Sequence, residues 1–169
     1  LTTAQSGGDA EGDKLSNIEI VTGSAFNDTL TALATGSWLY GGAGNDTLNG
    51  GAGNDNLDGG GGNDTIYGGD GDDHLHAGSD GTTTFNRNCF IYGGNGNDVL
   101  DNAGYSNAVL DGGAGNDNYL GGPYGATYVI RKEAGSSDLI WGLSLGPTAV
   151  YGEHISLLGF NNPVDFASL

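Results

Sequence analysis

Between Gly23 and His76 one apolar residue returns at every ninth position: Leu30, Leu39, Leu48, Leu57, Ile66 and Leu75. The stretch divides without a gap into GSAFNDTLT, ALATGSWLY, GGAGNDTLN, GGAGNDNLD, GGGGNDTIY and GGDGDDHLH. The apolar residue is position eight of each unit, and position six reads Asp28, Ser37, Asp46, Asp55, Asp64 and Asp73. Glycine at every second or third place weakens a helix or a strand. Self-similarity at a fixed short period instead marks a solenoid. Each unit predicts a six-residue turn and a three-residue strand whose middle side chain points inward, since strand side chains alternate faces.

The phase slips once. Ala77–Tyr92 is a 16-residue unit whose end, NCFIY, restores the pattern, with Cys89 in place of the acid and Ile91 in the apolar slot. GGNGNDVLD carries Asp98, the ten residues NAGYSNAVLD lack the acid, and GGAGNDNYL regains it as Asp117. A stacked array with a surface insertion around 79–88 accounts for this. Two nonapeptides make one coil of about 18 residues, so alternate turns fall on opposite edges. One edge stacks Asp28, Asp46 and Asp64; the other stacks Asp55, Asp73, Asp98 and Asp117.

Charge decides what such a stack needs. The 169 residues include 35 glycines, 21 acids and four bases (Lys14, Arg87, Arg131, Lys132), for a formal charge of −17. That repulsion opposes compaction, predicts disorder unless counter-charge is bound, and argues against nucleic acid or an anionic membrane as partner. No run reaches the roughly 18 apolar residues of a membrane-spanning helix. Cys89 is the single cysteine, so no internal disulfide is available and a metal is the natural staple. A disordered glycine-rich linker is the plain alternative, and the fixed apolar phase argues against it. The chain opens at Leu1 without a signal-peptide pattern and reads as a segment of something longer.

Spacing selects the metal. Adjacent strands lie roughly 4.7–4.9 Å apart. A calcium ion between two oxygens spans roughly 4.6–5.2 Å, whereas magnesium spans only about 4.0–4.2 Å and demands a stricter octahedron. Zinc prefers His or Cys, which the turns lack. Calcium with oxygen ligands fits an ion held between rungs.

These units resemble the repeats-in-toxin (RTX) nonapeptide G-G-x-G-x-D-x-U-x, closely over Gly41–His76, Gly93–Asp101 and Gly112–Leu120 and more loosely at the first two units. The preceding GDAEGDKLSNIEIVTGSAFNDTL is similar to the lead-in of such blocks. The resemblance implies an all-β, right-handed parallel β-roll with a file of calcium ions along each edge. It implies as ligands the carboxylates of Asp28, Asp46, Asp55, Asp64, Asp73, Asp98 and Asp117. With them it implies the carbonyls of positions one, two and four: Gly41, Gly42, Gly44, Gly50, Gly51, Gly53, Gly59, Gly60, Gly62, Gly68, Gly69, Gly71, Gly93, Gly94, Gly96, Gly112, Gly113 and Gly115. Ser37, Cys89 and Ala108 break the motif. The intact same-edge pairs Asp28/Asp46, Asp46/Asp64, Asp55/Asp73, Asp73/Asp98 and Asp98/Asp117 suggest about five ions, or +10 against −17.

The expected organisation is a lead-in and capping strand over 1–22, with IEIV (18–21) as the strand, the roll over 23–129, and a β cap with a secretion tail over 130–169. Trp141, Leu143, Ile155, Leu157 and Phe160 are expected to cover the last rung. Asp138–Phe160 resembles the cap after many RTX blocks, where Glu153 and Asp138 are candidates for one further calcium. The tail VDFASL resembles type I secretion signals.

Other clusters carry weaker chemistry. His74 and His76 project from one outer face without an evident third ligand, and read as surface histidines on a strand. Tyr67, Phe90 and Tyr92 fall together beside the insertion, either as a stacking platform for a sugar or peptide or as packing for the insertion. Trp38 and Tyr40 pose the same choice on the opposite face. Thr29, Thr47 and Thr65 form an outward column suited to exposed strands. There is no G-x-S-x-G, no H-E-x-x-H and no phosphate loop, and the repeated acids are committed to metal, so no catalysis is expected of this segment.

The leading expectation is a calcium-binding module that folds on meeting extracellular calcium and supports type I export, folding and stability of an attached effector, enzyme or adhesin. It would be secreted or cell-surface, with calcium, the attached domains and the type I secretion machinery as its partners. The alternatives are a calcium-dependent polysaccharide-binding module attached to an alginate epimerase or lyase, or the tail of a secreted protease or lipase.

Overall fold

The computed structural model describes residues 19–32, 34–79, 88–102, 107–121, 126–131 and 136–141, and the backbone of 154–158. The remainder of the lead-in, most of the insertion, Leu143, Glu153, Phe160 and the VDFASL tail lie outside the described residues.

Every apolar position eight closes a strand around one narrow core. The first sheet is formed by β1 (Ile20–Thr22), β3 (Trp38–Tyr40), β5 (Asn56–Asp58), β7 (His74–His76), β9 (Val99–Asp101), β11 (Asn118–Leu120) and β13 (Leu139–Trp141), in that order. The second runs β2 (Thr29–Thr31), β4 (Thr47–Ala52), β6 (Thr65–Asp70), β8 (Asn88–Asn95), β10 (Asn107–Ala114), β12 (Thr127–Arg131) and β14 (His154–Leu158). All pairings are parallel, and the chain alternates between the sheets: a β-roll.

Register keeps the apolar phase in line. Val21, Leu39, Leu57, Leu75, Leu100, Tyr119 and Ile140 are successive partners in the first sheet. Leu30, Leu48, Ile66, Ile91, Leu110 and Tyr128 are partners in the second. Leu39, Leu48, Leu57, Ile66, Leu75, Ile91, Leu100 and Leu110 are each 0% exposed, so each contributes about 1.5–3 kcal/mol of burial. Toward the C-terminal end tyrosines take over, Tyr119 meeting Tyr128 edge to face at 6.0 Å.

Two expectations change. The strands of the first sheet have three residues, but β4, β6, β8 and β10 have six or eight and continue through the Gly-Gly pair. Gly51, Gly69, Gly94 and Gly113 stay in ladder register, so the turn on that edge is shorter than six residues. Glycine reads as a breaker in isolation, yet stacked copies of one bend can hydrogen-bond to each other as a strand does. Trp141 does not cover the last rung: it lies at the end of β13 and is 58% exposed, while Ile140 beside it packs on the core. The repeat motif dissolves after Gly121, but β12, β13 and β14 continue both ladders.

Candidate metal centre

The turns on the two edges bring position-six carboxylates into two columns. Asp28, Asp46 and Asp64 follow one another on one edge, with Cys89 and Ala108 next; Ser37, Asp55, Asp73, Asp98, Asp117 and Asp138 follow on the other. Each aspartate after Asp28 uses Oδ1 in the same way. Asp28 N–H donates to Asp46 Oδ1 at 2.8 Å, and Asp46 N–H to Asp64 Oδ1 at 2.9 Å. On the second edge Ser37, Asp55, Asp73, Asp98 and Asp117 donate to Asp55, Asp73, Asp98, Asp117 and Asp138 at 2.7–3.1 Å.

The second oxygen has a different fate. Oδ2 of Asp46, Asp55, Asp73 and Asp98 is buried and accepts no hydrogen bond. A buried ionised carboxylate without compensation is costly, so such an oxygen calls for a cation or a proton. Burial, the largest cause, pushes Asp98 up to about 7 and Asp55 and Asp73 up to about 6, and it raises Asp46. The ladder N–H bonds oppose the rise, while neighbouring acids add to it.

Position one shows what Oδ2 faces. A Cβ placed on Gly41 would stand 2.5 Å from Asp46 Oδ2 and 2.5 Å from the carbonyl oxygen of Gly59, one rung on. The same pairing recurs at Gly50 (Asp55 and the Gly68 carbonyl), Gly59 (Asp64 and Ala77), Gly68 (Asp73 and Gly93) and Gly93 (Asp98 and Gly112). A carboxylate and a main-chain carbonyl from successive rungs thus converge on a space that any side chain at position one would fill. Two acceptor oxygens this close to one point lie near enough to each other to share a hard, oxygen-loving cation such as calcium beside the glycine. Among the described residues no three His, Cys, Asp or Glu side chains converge as a cluster. A cation here would be held by one carboxylate per rung with carbonyls, not by a side-chain cage.

The glycines agree with the acids within the chain. Gly23, Gly41, Gly50, Gly59, Gly68, Gly93 and Gly112 precede an aspartate at position six, whereas Ala32, Ala77 and Asn102 head the units with Ser37, Cys89 and Ala108. The carboxylate occupies the Cβ space, so the two positions exclude each other's alternatives.

The ends of the columns differ. Asp28 Oδ2 accepts from Ser24 N–H at 2.6 Å and Ser24 Oγ at 2.9 Å, so serine at position two satisfies this carboxylate locally. Beside Gly112 the space holds Asp117 Oδ2 and the Tyr119 hydroxyl rather than a carbonyl of the next rung. That hydroxyl accepts from Gly112 N–H at 2.9 Å and donates to the Val129 carbonyl at 3.0 Å. Burial raises the Tyr119 pKa. On the other edge Cys89 Sγ stands 3.8 Å from the Gly62 carbonyl and 3.9 Å from the Ala77 carbonyl, among oxygens that an aspartate would join through a cation.

Glycines at positions two and four all have φ between 94° and 142° in the units beginning at Gly41, Gly50, Gly59, Gly68, Gly93 and Gly112, except Gly60 at 85°. The Gly42 carbonyl is already engaged, accepting from Gly61 N–H at 2.7 Å. Position five has a role that the repeat pattern did not disclose. Asn45, Asn63 and Asn88 N–H donate to Asn27, Asn45 and Asn63 Oδ1 at 2.8–2.9 Å, and on the other edge Asp72, Asn97, Asn116 and Ser137 donate to Asn54, Asp72, Asn97 and Asn116 Oδ1 at 2.8–3.1 Å. Its only sequence signal is the recurring Asn before Asp, which also suits an ordinary turn.

Away from the edges, His74 is exposed and His76 Nδ1 lies 3.4 Å from Asp58 Oδ2, whose hydrogen bond raises the histidine's pKa against the opposing effect of burial. Thr29, Thr47 and Thr65 are register partners. Tyr67 and Tyr92 stack at 5.1 Å with planes 9° apart.

No curated protein matches the chain, and no solved structure matches it. The family described as RTX calcium-binding nonapeptide repeat (4 copies) matches residues 22–57, 50–83 and 90–104. The buried carboxylates, glycine carbonyls and parallel roll lie within and just beyond that span. Between residues 22 and 104 the chain is therefore built of RTX calcium-binding nonapeptide repeats.

Proposed function

We propose that this chain is a calcium-driven folding module of a larger secreted protein, supporting its type I export, folding and stability. One observation carries the reading: buried Oδ2 atoms of Asp46, Asp55, Asp73 and Asp98 face a carbonyl of the next rung with no donor to satisfy them. Calcium would supply that missing positive partner, and ion binding would become folding free energy. The carboxylates of Asp46, Asp55, Asp64, Asp73 and Asp98, each with the following position-one carbonyl, are the best-formed ligand sets, in keeping with an uptake of about five ions. Asp28, which shares the pairing with the Gly41 carbonyl, is already met by Ser24 N–H and Oγ, and beside Gly112 no next-rung carbonyl is among the nearest atoms, so Asp28 and Asp117 contribute less. A chain that stays unfolded in a calcium-poor cytosol and folds outside suits export in the unfolded state, and the −17 charge is the device that keeps it so.

Calorimetric titration of the whole chain with calcium tests this. About five ions should bind, and Asp73→Asn, which keeps Oδ1 but removes the charge, should lower the stoichiometry by at least one. Unchanged uptake in Asp73→Asn and Asp46→Asn would refute the assignment. Magnesium at the same concentration should leave the chain unfolded.

A further inference from the structure

The ninth position of the repeat puts two tyrosines on neighbouring strands of the second sheet. Tyr67 on β6 and Tyr92 on β8 are register partners, and both point outward because Ile66 and Ile91 beside them take the core. Their rings stack with centroids 5.1 Å apart and planes 9° apart. Tyr67 is 43% exposed and Tyr92 is half-buried, so small solutes reach the pair.

No other tyrosine among the described residues is placed this way. Tyr119 and Tyr128 meet edge to face at 6.0 Å, and both are buried in the core. Tyr40 has Thr22 and Asp58 as its register partners, neither of them a phenol.

The position of the pair in the roll gives it a use. β6 and β8 are 25 residues apart in register, against 18 for β2 and β4 and for β4 and β6. The file of carboxylates on the first edge also ends at this seam, where Cys89 follows Asp64. Cys89 is the single cysteine, so a disulfide cannot tie the seam within one chain.

We propose that Tyr67 and Tyr92 are an oxidative cross-linking site, which two equivalents of a one-electron oxidant convert to dityrosine as a covalent staple between β6 and β8. Each phenol gives one electron to the oxidant and its hydroxyl proton to water. The two phenoxyl radicals combine through a ring carbon next to each oxygen, forming one C–C bond. The hydrogens on those two carbons pass to the oxygens and restore both phenols, so the product lacks two hydrogen atoms overall. Rings already stacked make the coupling effectively unimolecular, which favours it over coupling between chains. The site rests on the register of the sheet and not on the number of ions along the edges.

The test uses the whole chain, dilute and in calcium, its fold verified by circular dichroism. Tris(bipyridine)ruthenium with persulfate under visible light is the oxidant. Trypsin cleaves after Arg87, between the two tyrosines, so a denaturing digest parts the uncoupled chain into fragments 15–87 and 88–131. After oxidation these fragments should stay joined, lack two hydrogens by mass spectrometry and show dityrosine fluorescence. Tyr67→Phe and Tyr92→Phe should each lower the joined yield about tenfold or more, because the partner held in contact is lost. Unfolding the parent in urea before oxidation should lower it comparably, while Tyr40→Phe should leave it unchanged. The coupled chain should also unfold at a higher urea concentration than the uncoupled one, since the link restricts the unfolded chain. The proposal is overturned if no joined fragment forms from the folded chain. It is equally overturned if the yield persists in folded Tyr67→Phe or Tyr92→Phe, or is the same from urea-unfolded chain. An unchanged urea midpoint in the coupled chain would overturn its role as a staple.

Discussion

Gly41 and Gly51 separate two duties that one residue type performs in this chain. Gly51 has φ of 95° and nothing within 4 Å of the place a Cβ would take, so its role is conformational. Gly41 has no left-handed φ, and its hydrogen atom leaves the space where Asp46 Oδ2 and the Gly59 carbonyl converge. Gly51→Ala should therefore cost about 1–2 kcal/mol of backbone strain and keep the full calcium stoichiometry. Gly41→Ala should lose one ion, because its methyl group stands where the cation's ligands meet; calorimetry and thermal melts on both variants make the comparison.

Protons compete for the same oxygens. In the ion-free roll Asp98 is held at about 7 and Asp55 and Asp73 at about 6, against an unfolded value near 3.8. The folded state then binds more protons than the unfolded chain between about pH 4 and 7, so this contribution to stability is present below pH 4 and is lost as pH rises through 6–7. Calcium needs the deprotonated carboxylates, so its effect has the opposite sign. Half-saturating calcium should rise steeply as pH falls from 8 to 5.5, while the calcium-free chain should become more compact over the same range, as circular dichroism would register.

At the scale of the element, a turn is one rung of two oppositely directed ladders. Position five accepts from the rung after it, and position six accepts from the rung before it, so each turn is tied on both sides. Units without the acid keep the fold but break the column. Cys89→Asp alone should add no ion, because the Ala77 methyl group occupies the space a carboxylate needs; Cys89→Asp with Ala77→Gly should add one. Equal stoichiometry for the single and double variants, both folded, would contradict the coupling of positions one and six.

The strands were legible because a single apolar position per nonapeptide must face the core, and an 18-residue coil assigns alternate turns to opposite edges. The reach of β4, β6, β8 and β10 into Gly-Gly was not, since a glycine pair in one chain has the same composition whether it ends a strand or stacks on a copy of itself. Nor was the position-five ladder, because asparagine in a turn has local uses that need no neighbour. Tyr128 hid a later rung: its ring takes the place of position eight, but spacing and glycines have drifted there, and only the register with Leu110 reveals it.

Across the whole molecule, burial and charge act against each other. The core is two facing files of side chains, one from each sheet, while 21 acids against four bases repel along its length. A core this narrow leaves the roll dependent on counter-charge, and about five calcium ions would offset most of the −17. Folding and ion uptake should accordingly be one transition, with the stability of the roll rising with free calcium.

The most direct test follows chain dimensions by small-angle scattering as calcium replaces chelator. In chelator the radius of gyration should approach the roughly 43 Å of an unfolded chain of this length, and saturating calcium should bring it below about 20 Å, with β-sheet circular dichroism appearing over the same concentrations. A compact β-roll that persists at neutral pH in excess chelator, with unchanged dimensions on adding calcium, would contradict the account.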